Sequence, residues 1–156
     1  MIWLWPKRFE TERARLQEAI GSWAEGGIHH IGSTAVPELV AKPTVDILVG
    51  VGDLDSARAC FASLAELDYL YAPYRLELMH WFCKPHPSRR EFHLHLIPVS
   101  SARFRDELAF RDLLLRDPEV RSKFAALKLS LAELFPDDQE AYTDGKIPFI
   151  EQALAL

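Results

Sequence analysis

Apolar positions change their spacing twice along this chain, and the changes divide it into helical and extended stretches. Phe9, Leu16, Ala19 and Ile20 recur at helical spacing among charged residues, predicting an amphipathic helix over about 6–23 entered through Pro6. Gly26-Gly27 breaks that pattern. Residues 29–32 read as a short strand, and Thr44–Val51 is a β-branched apolar run of strand length between Pro43 and Gly52. Asp53 or Asp55 caps a helix to about Leu67, and 69–74, 79–84 and 91–99 read as further strands. The basic connection 85–90 between the last two is expected to be exposed. Helical spacing then returns. Ser101 opens a helix to about Arg116, and Asp117-Pro118 caps another with the apolar stripe Val120, Phe124, Leu127, Leu131 and Leu134, closed at Phe135-Pro136. A short last helix from Pro148 would pack Ile150 and Leu154. Helix, strands, then helices is the order of an α+β or mixed layered domain.

Three polar features interrupt the apolar runs and carry the candidate chemistry. Gly32-Ser33-Thr34 is a small-residue turn that lets a backbone approach a ligand and offers hydroxyls and N–H groups. Asp46 lies inside an apolar strand, where a carboxylate is costly to bury without a partner. Strand alternation sets Asp46 and Leu48 on one face, with Val45, Ile47 and Val49 on the other; His93, His95 and Ile97 likewise share a face opposite Phe92, Leu94 and Leu96. If the two strands are neighbours, Asp46 and both histidines line one site. They would flank a phosphate or ligate one metal, with Lys42 neutralising phosphate charge nearby. Plainer roles fit the same residues: a turn and helix cap for Gly32–Thr34, an ion pair with Lys42 or an arginine for Asp46, and backbone-bonded strand positions for the histidines.

Composition narrows the partners. The chain of 156 residues fits one domain able to bury roughly two thirds of its unfolded surface. Its net charge of −5 argues against extended nucleic acid, so a phosphate-bearing partner should be small. Two cysteines without metal spacing, no membrane-length apolar run and no secretory pattern at the start point to the cytoplasm and to no membrane partner. The pattern says nothing of oligomeric state. His93-Leu94-His95-Leu96 begins the alternation of a histidine-triad hydrolase, but Ile97 breaks it. No nucleophile turn of a Ser-His-Asp hydrolase is present.

Taken together, several segments resemble the GrpB family. They are Trp5-Pro6 to Arg13, His30-Ile31-Gly32-Ser33-Thr34-Ala35-Val36-Pro37, Ala41-Lys42-Pro43 to Asp46-Ile47 and His93-Leu94-His95, followed by Phe110-Arg111-Asp112-Leu113, Lys128, Tyr142 and Lys146 to Ile150. The resemblance covers nearly the whole chain, with Glu38 standing where the family usually has glycine. It implies an α+β nucleotidyltransferase-like fold, a mixed sheet with helices packed on it. The wider superfamily implies a Gly-Ser turn, two carboxylates one residue apart on a strand and a third on a neighbouring strand, together holding divalent metal and a nucleoside triphosphate. Gly32-Ser33 matches the turn and Asp46 the first carboxylate. Leu48 occupies the second carboxylate position, and the strand expected to supply the third carries His93 and His95. Two-magnesium chemistry relies on anionic bridges, so the histidines redirect the expectation toward zinc, manganese or iron, or toward imidazoles that bond phosphate and carry protons themselves. Related domains occur fused to dephospho-coenzyme A kinase, which adds coenzyme A-related compounds to nucleotides as candidate ligands. The function so implied is a metal-dependent nucleotidyl or related phosphoryl transferase (Mg, Mn or Zn), or a binding module that kept the pocket without the reaction.

Overall fold

The computed structural model describes residues 4–37, 39 and 43–155. Helix α1 (Leu4–Ile20) is followed by a 3-10 turn (Gly21–Trp23), strand β1 (Ile28–Ile31), a second 3-10 turn (Ser33–Ala35) and strand β2 (Val45–Val51). Short helices α2 (Leu54–Ala57) and α3 (Phe61–Glu66) lead to β3 (Leu70–Tyr71), β4 (His80–His86) and β5 (Arg89–Pro98). Helices α4 (Ala102–Arg116), α5 (Pro118–Leu134) and α6 (Gln139–Ala155) complete the chain. The strands form one mixed sheet in the order β1-β2-β5-β4-β3. Only β2 and β5 run parallel; the other neighbours are antiparallel. The class is mixed α+β.

The chain separates into two compact units, Met1–Glu107 and Leu108–Leu156. In the first, the sheet is buried on both faces. One face presents Val45, Ile47, Val49, Val51, Leu94 and Leu96, which form a core with Phe9, Leu16 and Ile20 of α1 and Leu64 of α3. On the other face Ile31, Leu48, Cys83 and Ile97 are buried as well. Burial on both sides explains why β2 reads as an almost continuous apolar run. Close approach is enforced at Gly50, where a Cβ would stand 2.6 Å from Val99 Cγ1 and 2.7 Å from Phe104 Cε1. In the second unit an aromatic cluster does the packing: the rings of Phe110 and Phe124 are 5.0 Å apart, and those of Phe124 and Phe149 5.5 Å.

Several local expectations need correction. The stretch after Asp53 is not one helix; Asp53 caps α2, but a 3-10 turn at Arg58–Cys60 separates α2 from α3. The strand expected over 69–74 shrinks to Leu70–Tyr71, flanked by Asp68 and Arg75 with φ of 70° and 49°, values that leave the extended region. Much of the connection 85–90 belongs to the hairpin, since Pro85 pairs with Arg90 and His86 with Arg89. The last helix begins nine residues before Pro148 and contains it, entered through Asp138, whose side chain accepts from Ala141 N–H at 3.0 Å. Leu134 is 69% exposed, so the stripe of α5 is buried at Phe124 and Leu131 but not at its end. The capping of α5 matches expectation: Asp117 Oδ1 accepts from the backbone N–H groups of Glu119 and Val120, with Pro118 at the first helical position. Asp117→Ala should therefore lower stability by about 1 kcal/mol, read as a reduced urea midpoint at unchanged slope.

Candidate functional site

Parallel pairing of β2 with β5 puts Asp46 directly beside His93 and Leu48 beside His95. Odd–even alternation then aims Asp46, His93 and His95 from the same face. The strand adjacency that the site required is thus present. His93 Nδ1 lies 3.0 Å from Asp46 Oδ1, and His95 Nε2 lies 3.5 Å from the same oxygen. All three side chains are partly buried, at 27%, 22% and 15% exposure for Asp46, His93 and His95. Burial alone would raise the Asp46 pKa, but the hydrogen bond from His93, the close approach of His95 and the charge of both imidazoles outweigh it and hold the carboxyl well below its usual range. Ionised Asp46 therefore contributes stability that is full above its ordinary 3.8 and lost as pH falls below it.

An ionised carboxylate only accepts hydrogen bonds, so His93 Nδ1 must carry the proton it shares with Asp46. That fixes the ring and leaves Nε2 as the nitrogen not engaged by Asp46. His93 Nε2 and both His95 nitrogens are buried without a hydrogen-bond partner. Leaving such groups unpaired costs about 1–3 kcal/mol each, which is why native proteins rarely do so without a reason. Trp81 supports the arrangement from β4, where it pairs with His95 and sets its ring 4.8 Å from that of His93. Its place was concealed in the sequence, because only the hairpin register shows which aromatic residue backs the histidines.

The turn after β1 completes the site on one side. Gly32 has φ 75° and ψ −174°, a conformation essentially reserved for glycine. A Cβ there would stand 2.6 Å from Asp46 Oδ2, so the backbone passes directly over the carboxylate. Ser33 opens the 3-10 turn and is half-buried. Thr34 is turned inward. Its Oγ1 lies 2.9 Å from His30 Nε2 and 3.4 Å from the Thr44 carbonyl, so its hydroxyl ties the turn to β1 and to the start of β2 instead of presenting itself outward. His30 stacks on Phe9 at 4.8 Å and belongs to the packing. Lys42 lies outside the described residues, so neither its phosphate role nor an ion pair with Asp46 is placed.

As a metal site the set fits poorly. Three ligands must turn lone pairs toward one common centre, whereas Asp46 Oδ1 and His93 Nδ1 face each other as acceptor and donor. Among the described residues, no group of three or more His, Cys, Asp or Glu side chains is placed to hold a metal ion. The metal set expected from Asp46, His93 and His95 is thus a carboxylate–imidazole cluster in this structure, and fully buried Leu48, on the same strand face as Asp46, adds no ligand. Among the described residues no helix is long and apolar enough to cross a membrane.

With the geometry in place, the relatives of the chain can be set beside it. A UPF0157 protein of Deinococcus radiodurans is 33% identical over 150 residues, covering 96% of this chain and 76% of that protein. Glutamate-rich protein GrpB of Alkalihalophilus pseudofirmus is 31% identical over 156 residues, covering 96% and 88%. Of a UPF0157 protein of Pseudomonas aeruginosa, 34% identical, the chain spans 62% of the length. Among solved structures, the crystal structure of conserved protein GrpB from Enterococcus faecalis superposes with a TM-score of 0.81 at 29% identity, covering 96% of this chain and 89% of that one. The family model described as GrpB protein matches residues 3–155, nearly the full length, and the chain therefore belongs to the GrpB family.

Proposed function

We infer that the chain binds a nucleotide or another small phosphorylated metabolite, with a phosphate seated over Asp46, His93 and His95 and against the Gly32-Ser33 turn. The observation that carries this reading is the set of buried imidazole nitrogens without partners, held beside an ionised carboxylate. Phosphate oxygens are strong acceptors, and two imidazoles on alternate positions of one strand can donate to the same group. Asp46 accepts from His93 Nδ1 and so fixes its ring, as a carboxylate does in other carboxylate–histidine pairs, leaving Nε2 to act on a ligand. His95 faces the same oxygen from the next position and supplies the second donor.

The reaction this arrangement suits is nucleotidyl or related phosphoryl transfer. An acceptor oxygen would bond to phosphorus as the bridging P–O bond to the leaving phosphate breaks. His93 Nε2 would take the acceptor's proton and a protonated His95 would give one to the leaving oxygen. A second reading is a binding module for a nucleotide or coenzyme A-related compound without turnover. Leu48 favours it, because an apolar side chain stands where the superfamily's second metal-binding carboxylate would be. Magnesium, manganese and zinc belong in the test as added components.

Calorimetric titration of nucleoside triphosphates and coenzyme A precursors, with and without each metal, should give saturable binding to the wild type. His93→Ala/His95→Ala should weaken it by about tenfold to a hundredfold, the share of hydrogen bonds to a charged group. Asp46→Asn should weaken it less, since the imidazoles remain but lose their orienting charge. Binding unchanged in the folded double variant would remove the histidines from the site, and product formation in the same mixtures separates the transferase from the module.

A further inference from the structure

A second recess lies on the side of the sheet that α1 covers, away from Asp46. It is a groove of about 440 Å³ lined by Lys7, Arg8, Arg15, Lys84 and Arg89, with Glu12, Glu91 and Phe92 at its floor and rim. Five cations against two carboxylates leave a surplus of three positive charges here, in a chain whose net charge is −5. The remainder of the chain is correspondingly more acidic, at −8. A local excess of that size, against the sign of the whole molecule, needs an anion or a wide spacing in water to be tolerated.

Four of the cations have carboxylate partners. Glu12, 1% exposed, accepts from Lys84 Nζ at 2.5 Å through Oε2 and meets Arg15 Nη1 at 3.3 Å through Oε1. Lys84 is 13% exposed, with its ammonium 4.9 Å from the Tyr69 ring and 5.5 Å from that of Phe92. Arg8 stacks over Phe92 at 5.2 Å and Trp5 at 5.8 Å while bonding Glu91 Oε1 at 2.9 Å. Arg89 reaches the other oxygen of Glu91 at 3.5 Å. Each carboxylate thus serves two cations and neutralises only one. Rings and carboxylates hold Arg8 and Lys84 before any ligand arrives, which lowers the entropy that binding must overcome.

We propose that this groove is a binding site for a small polyanion, a compound carrying a di- or triphosphate group. The volume falls within the range of small-ligand sites. Arginine forks at Arg8 and Arg89 suit phosphate oxygens, and Lys84 adds a fixed point charge deeper in. The acidic remainder of the surface disfavours an extended polyanion, so the ligand is one that fits within the recess.

The probes are inorganic tripolyphosphate, pyrophosphate and orthophosphate, titrated into the full chain at near-physiological ionic strength. The expected result is saturable binding that strengthens from orthophosphate to tripolyphosphate. Lys7→Glu/Arg89→Glu, which alters exposed side chains, should weaken tripolyphosphate at least tenfold when introduced into the His93→Ala/His95→Ala background, where any phosphate held over Asp46 is already lost. Equal affinity with and without the groove substitutions in that background, or no saturable binding of any probe, overturns the proposal. Loss of tripolyphosphate binding in the histidine variant alone would assign it to the Asp46 site instead and also overturn it. The reading of the Asp46 site stands or falls separately, on nucleotide binding in the histidine variant.

Discussion

Glu12→Ala should lower the unfolding free energy by about 3 kcal/mol. Glu12 is a carboxylate at 1% exposure in an otherwise apolar stripe with Phe9, Leu16 and Ile20. It accepts from Tyr69 Oη at 2.6 Å and from Lys84 Nζ, and burial together with its negative charge drives the Tyr69 hydroxyl pKa upward. Truncation would leave an ammonium at 13% exposure and a buried hydroxyl facing an empty volume. Breaking such a pair from one side costs far more than its net contribution, because the surviving charge stays desolvated. In a chain of this size the change corresponds to a fall of about 9 °C in Tm. Glu12→Leu combined with Tyr69→Phe and Lys84→Met should recover most of the loss, since all polar members leave together. Urea denaturation of the two variants checks both statements. A Glu12→Ala change below about 1 kcal/mol would show that Lys84 finds water instead.

Gly32→Ala should strike the candidate site and the fold at once. A side chain at φ 75° and ψ −174° is strained by about 1–3 kcal/mol whatever surrounds it. The new methyl would also meet Asp46 Oδ2 at 2.6 Å and Asp46 Cβ at 3.1 Å, distances that require movement. The Asp46 carboxylate is the part that can move, and moving it breaks its 3.0 Å bond to His93. The expected result is a loss of about 3 kcal/mol in stability, together with a changed His93 ring ¹⁵N chemical shift. Gly27→Ala, also at positive φ (84°) but contacting His29, serves as comparison and should be strained without the His93 signal. An unchanged His93 ring in a folded Gly32→Ala protein would mean that the turn shifts as a body and that the carboxylate is held more firmly than the loop.

Much of this arrangement was legible in the chain, and the exceptions have physical causes. The alternation in 93–97 and the lone carboxylate at Asp46 named the central residues, because period-two patterning survives wherever a strand is fixed between neighbours. Which strands neighbour each other was not legible: that depends on a parallel pairing between residues 47 positions apart. The turn predicts that Thr34 offers its hydroxyl to a ligand, but a small-residue turn has no pattern that orients a side chain; only the approach of His30 and Thr44 does. Proline favours the first turn of a helix, so the sequence predicts a start at Pro148. The helix instead passes through it, and at Gly145 approaches so closely that a Cβ would stand 2.5 Å from Leu131. Glu12 left a signal that went unused, a charged residue at an apolar-stripe position, which marks either an error of pattern or a buried ion pair.

The pairing of β2 with β5 also sets the order in which this protein can acquire a site. The β4–β5 hairpin closes over a two-residue connection and needs nothing distant, so its histidines can stand side by side early, within microseconds. Asp46 reaches them only when the chain between residues 46 and 93 has been enclosed by a parallel strand addition, the slow kind of contact in folding. The hairpin on its own therefore presents His93 and His95 without Asp46. In a refolding experiment, recovery of ligand binding should trail the recovery of hairpin structure and coincide with closure of the central strand pair.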